Sequence, residues 1–129
     1  AEMRPACWDV NERVRDMNAN GVLASMCFPS FAGMGGWFFA SAKDRELAEV
    51  CLRAYNDWHI DEWCGAAPGR FIPLPISPLW DPKLAADEVR RVARKGATAI
   101  TFAEDPEAMG FPSIHSGDWD PFFEACVDN

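Results

Sequence analysis

Apolar residues along this chain alternate between two patterns, helical spacing in some stretches and unbroken short runs in others. Val10, Val14 and Met17 share one helical face behind Asp9. The spacing predicts a helix capped by the Asp9 carboxylate, with Glu12 three residues on completing a capping box and Gly21 ending it in a left-handed turn. The run 22–28, Val-Leu-Ala-Ser-Met-Cys-Phe, is stopped by Pro29 and predicts a strand buried on both faces. From 43 to 64 the helical signal is strongest. Leu47, Cys51, Ala54, Tyr55 and Trp58 read as its buried stripe, while Arg45, Glu49, Arg53 and Asp57 face the other way. Gly65, Pro68 and Gly69 end that helix, and 70–76 predicts an irregular second strand, weakened by Pro73 and Pro75. Asp81-Pro82 opens a third helix with Leu84, Ala85, Val89, Val92 and Ala93 inward, closed by Gly96. Residues 97–102 predict a third, β-branched strand, and Asp120-Pro121 opens a last helix carrying Phe122, Phe123 and Cys126.

The repeating unit is strand, loop, helix, which means parallel strands joined by right-handed crossovers. Trp-Asp recurs at 8–9, 80–81 and 119–120, each time at a helix start. Helices between the copies exclude a propeller, in which the dipeptide closes a strand. A three-stranded parallel sheet leaves two open edges, so the expectation is either a small open α/β domain or an arc of a closed barrel. The connection 30–42 sets Gly33, Gly35 and Gly36 among Phe31, Trp37, Phe38 and Phe39. It is either an aromatic lid over a ligand or a surface loop with its aromatics tucked into the core. It lacks the third glycine of a dinucleotide fingerprint. The stretch 17–42 is uncharged and long enough to span a bilayer, but Pro29 and the glycines would break a spanning helix, which favours strand plus loop.

Composition adds limits. With 129 residues, 49% hydrophobic and 25% charged, the chain has the make-up of a globular domain and not of a coiled coil, collagen or disordered tail. Twelve Lys and Arg against 20 Asp and Glu give a formal charge of −8. No basic cluster offers itself to phosphates, which excludes a nucleic-acid partner. Five cysteines without a C-x-x-C pair fit reduced thiols and a cytoplasmic location. The opening Ala1-Glu2-Met3-Arg4-Pro5 has no signal-peptide pattern, and no membrane partner is expected.

Candidate chemistry is sparse. The histidines are His59 and His115, too few for a catalytic zinc without carboxylates brought in by the fold. His59 lies within the longest predicted helix and reads as structural. His115 follows the third strand, at the end where α/β proteins place their sites. Ser113, His115 and Asp118 are the residue types of an acyl-transfer triad, but no Gly-x-Ser-x-Gly elbow accompanies them. Glu104, Asp105 and Glu107 read as a solvated acidic loop.

Four ordered motifs carry a resemblance. They are Cys7-Trp8-Asp9-x-x-x-Arg13-x-x-x-Met17-x-x-x-Gly21-Val22, Ala54-Tyr55-Asn56-Asp57-Trp58, Pro68-x-Arg70-Phe71-Ile72-Pro73-Leu74 and Trp119-Asp120-Pro121. Together they resemble the metal-dependent amidohydrolase superfamily, in the branch that includes aminocarboxymuconate semialdehyde decarboxylase. The resemblance implies a (β/α)8 TIM barrel with a divalent metal, usually zinc, performing non-oxidative decarboxylation or hydrolysis of a small-molecule substrate. It implies that residues 1–129 are a single partial domain covering barrel strands two to four. On that alignment no residue here matches a metal ligand, and His115, Trp119 and Phe28 fall on the substrate side. The chain by itself is then expected to hold no metal and be inactive, completed by the remainder of the barrel or by a homo-oligomer. The alternative expectation is a complete, non-catalytic α/β binding or assembly module.

Overall fold

The computed structural model describes residues 3–129; Ala1 and Glu2 lie outside it. Helix α1 spans Val10–Ala19, and the Asp9 carboxylate accepts from the N–H groups of Asn11 and Glu12. Only that half of the expected capping box forms. The Asp9 N–H already donates to Pro5 O at 2.8 Å, and Glu12 turns instead to Arg15. Met17 is buried at the base of α1 against Cys64 and Phe71, with Val10 and Val14 alongside, as the helical spacing predicts.

Strand β1 is confined to Ser25–Met26 and β2 to Phe71–Ile72; they pair in parallel, Ser25 with Phe71 and Met26 with Ile72. A single parallel bridge, Ile76 to Thr101, adds the third strand on the other side of β2. The strands thus stand in chain order, an arc with both edges open. The expectation that 22–28 is buried on both faces fails, because the run lies at a free edge: Leu23 is 83% exposed and Phe28 57%. The carbonyls of Val22 and Leu23 leave the ladder and accept from the Arg70 guanidinium at 3.0 and 2.7 Å.

Short helix α2, Trp37–Ala40, precedes α3, Arg45–Trp58, which the Asp44 carboxylate caps through Leu47 N–H. The chain then continues through a wider turn at His59–Cys64. The inward face of α3 differs from the predicted stripe. Ala48, Leu52 and Asn56 are buried, whereas Leu47, Cys51 and Ala54 are exposed and Tyr55 half-buried. Hydrophobicity alone misassigns this face because one of its two wholly buried members, Asn56, is polar. Helix α4, Pro82–Arg94, starts on the Asp81 cap as predicted and buries Ala85, Ala86, Glu88, Val89 and Val92. Helix α5, Asp120–Asp128, packs against it. Asp120 does not cap α5; the position before the helix is Trp119, which makes no side-chain cap. No helix among the described residues is long and apolar enough to cross a membrane.

Candidate functional site at the carboxyl ends of the strands

Prolines at 73 and 75 deprive β2's continuation of two donors, and His59, just past α3, and Asn56 of α3 supply partners for the N–H groups of Leu74 and Ile76. The Leu74 N–H donates to His59 Nε2 at 3.2 Å. The Ile76 N–H donates to Asn56 Oδ1 at 2.8 Å, and Asn56 Nδ2 donates back to Ile76 O at 3.0 Å. The Asn56 carboxamide therefore pairs with Ile76 as a neighbouring strand would. Its remaining Nδ2 hydrogen goes to Glu88 Oε1 at 2.7 Å. The buried Glu88 carboxylate in turn takes a two-pronged pair from Arg91, 2.8 Å on each oxygen. Arg91 also donates to Asp57 at 2.6 Å. Burial would raise the Asp57 carboxyl, but hydrogen bonds and charge from Arg91 and Lys95 outweigh it and hold the group below its ordinary value. Hydrogen bonding to Glu88 pushes the Arg91 guanidinium up in turn. The Ala54–Trp58 motif is thus a clamp between α3, α4 and the second strand.

Past the clamp, the strand ends are tied together. Thr101 donates to Pro75 O through its N–H at 2.8 Å and through Oγ1 at 3.0 Å, while Ser77 Oγ donates to Thr101 O at 2.6 Å. The glycine-rich connection lies directly on these ends. A Cβ on Gly35 would stand 3.1 Å from the Ala103 backbone, and one on Gly36 only 2.2 Å from Ile76 Cγ2. Both glycines have positive φ, 65° and 75°. The loop is therefore seated on the strand ends, and of its aromatics Phe39 alone is tucked into the core, while Phe31, Trp37 and Phe38 stay exposed. Arg45 fixes the far end of α2, donating to Ala40 O at 2.7 Å with its guanidinium 5.3 Å over the Trp80 ring.

Between this loop, the strands and the 103–109 segment opens a groove of about 680 Å³. Met26, Phe28, Trp37, Leu74 and Met109 give it apolar walls, and the charged residues lining it are Glu104 and Asp105. Phe28 also borders a second groove of about 770 Å³ along the free edge of β1, with Trp8, Tyr55 and Trp58. Burial first, then the nearby Cys27 and Cys64 thiols, push the Tyr55 phenol there to about 12.

The three substrate-side candidates are not brought together. Phe28 lines the mouth groove. Trp119 is wholly buried, edge-on to Phe102 at 4.8 Å, and its Nε1 donates to Pro112 O at 2.9 Å. His115 is exposed on the loop that Trp119 anchors. Ser113, His115 and Asp118 form no relay: Ser113 Oγ meets the His115 backbone N–H at 3.4 Å, and Asp118 accepts from Ser116 at 2.6 Å. His59 is structural, as expected, and more deeply buried than a helix-surface role would allow. Trp37 and the Gly35-Gly36 seat enter the site although the sequence marks them only as lid or surface loop. Two adjacent glycines before an aromatic were the available signal, and their close approach to the strands was invisible without the fold.

A sequence profile described as amidohydrolase matches residues 2–129. The chain belongs to the amidohydrolase family. Among solved structures, it is similar to 5-carboxyvanillate decarboxylase from Novosphingobium aromaticivorans, at 26% identity and a TM-score of 0.72, over 91% of this chain and 31% of that one. That protein is an amidohydrolase with a TIM barrel, and the arc of parallel strands here is part of such a (β/α)8 fold. The chain spans about a third of that neighbour's length. The neighbour was solved with bound manganese and 3-methoxy-4-hydroxy-5-nitrobenzoic acid. The residues of this amidohydrolase chain do not fit such a metal: among the described residues no three His, Cys, Asp or Glu side chains are grouped to hold one.

Proposed function

We propose that residues 1–129 form one wall of the active-site mouth in a metal-dependent amidohydrolase that decarboxylates a small carboxylated ring compound. The observation carrying this reading is the apolar groove shared by the carboxyl ends of three parallel strands, the position where barrel enzymes hold substrate. Likeness to a decarboxylase over nearly the whole of this chain supports decarboxylation over hydrolysis. In this reading Phe28 contacts substrate directly. His115 stands on the rim, on the same connection as Met109, and Trp119 holds its loop in place. The metal ligands belong to other parts of the barrel, and the neighbour's manganese makes that metal as good a candidate as zinc.

The test compares the protein in which this chain is joined to the rest of its barrel with residues 1–129 alone. Supplied with manganese or zinc and carboxylated aromatic acids, the complete protein is expected to release carbon dioxide. The isolated chain is expected to do neither this nor retain stoichiometric metal after dialysis. A complete, metal-loaded protein inert toward all such acids overturns the reading, and so does turnover by residues 1–129 alone.

A further inference from the structure

We propose that Trp37 is a specificity-determining residue of the mouth, taking one flat, uncharged face of the substrate ring, and that Gly35 and Gly36 are the positioning residues that hold it there. The proposal rests on the reading of the mouth as a substrate site and names which of its residues discriminates. Trp37 is the first residue of α2, lines the groove, and is 60% exposed, so most of its indole is free to meet a ligand. The backbone that carries it has no room to shift inward. Gly35 lies tightly against the Phe102–Ala103 backbone, and Gly36 stands closer to the Ile76 side chain than a Cβ could without Ile76 moving. At the other end of α2 the Arg45 guanidinium holds Ala40 O. An exposed aromatic ring on a backbone fixed at both ends is a pre-organised stacking surface, because little freedom remains to be lost when a ring settles on it.

The charges of the groove orient that ring. Its charged lining residues, Glu104 and Asp105, are both acids on the rim, and no cation lines it among the described residues. A substrate carboxylate is repelled from this wall and turns toward the part of the mouth that this chain does not form. What remains for Trp37 and Phe28 is the uncharged part of the ring. A planar ring gains from stacking here, and a puckered ring of equal size does not.

The experiment uses the complete protein and the probe 3-methoxy-4-hydroxy-5-nitrobenzoic acid, with cyclohexanecarboxylate as the puckered control. Dissociation constants are measured for wild type, Trp37→Phe, Trp37→Ala and Gly36→Ala, with thermal unfolding recorded for each. Trp37→Ala is expected to weaken the nitrobenzoic acid about ten-fold while leaving unfolding unchanged, since one stacked aromatic pair contributes on that scale. Trp37→Phe is expected to stay close to wild type, and cyclohexanecarboxylate to be indifferent to position 37. Gly36→Ala is expected to reproduce the loss without removing any contacting atom. Equal affinity of wild type and Trp37→Ala for the nitrobenzoic acid overturns the assignment, as does equal weakening of both ligands. Failure of the wild type itself to bind that acid removes the reading of the mouth and this assignment with it, a result distinct from the other two.

Discussion

Asn56 shows how one polar side chain can organise a parallel strand. Replacing it with Ala strands the buried Ile76 N–H and C=O and leaves Glu88 one donor short. Each orphaned group costs roughly 1–3 kcal/mol, so Asn56→Ala is expected to destabilise the chain by about 3 kcal/mol in urea unfolding. His59 makes a prediction of different kind. Burial lowers its pKa, and its Nε2 must stay unprotonated to accept from Leu74. Below the ordinary value of 6.5 the unfolded chain binds a proton that the folded chain refuses. Stability should therefore fall as pH drops below 6.5, and His59→Gln should flatten that slope in melts followed across the range. The Asp57 carboxyl, also held below its ordinary value, acts in the same direction at lower pH: its contribution persists above 3.8 and is lost only in stronger acid.

Among the elements, α3 separates sequence hydrophobicity from burial most clearly. Leu52 has no exposed surface, while Leu47, five residues earlier, is 59% exposed. Leu52→Ala should cost about 2–5 kcal/mol through the cavity it leaves, and Leu47→Ala on the isolated chain about 0.5 kcal/mol or less, a contrast that chemical denaturation resolves. Two caps were legible: Asp9 and Asp81 each meet free backbone N–H groups where a helix begins, because capping depends on neighbours within one turn, whereas the Asp44 cap was missed and Asp120 does not cap. The face of α3 was not legible, because the polar Asn56 is inward only by virtue of the strand it meets at Ile76. The glycine-rich connection was half legible. Positive φ is a local property and could be anticipated, whereas the seat against Ala103 and Ile76 depends on strands at least 40 residues away in sequence.

On the scale of the whole molecule, the arc leaves apolar surface without cover. Leu23, Phe31, Leu47 and Val50 are each more than half exposed, and β1 pairs on one side only. Exposed apolar area of this kind drives association. Residues 1–129 in isolation are expected to bind a hydrophobic dye such as anilinonaphthalene sulfonate and to elute above monomer mass, and fusion to the rest of the barrel to abolish both. A strictly monomeric, dye-negative isolated chain would count against the open arc.

The sequence by itself determined the alternation of strand and helix, the parallel connection, the caps at Asp9 and Asp81 and the family, since these rest on periodicity and on motifs read within short windows. Only tertiary structure decided which α3 face turns inward, that Trp119 serves packing, and that Trp37 stands in the mouth beside Phe28. Those outcomes depend on contacts between residues far apart in the chain. A local pattern states what a segment can become; the surface it must fit decides which of its side chains are left free to work.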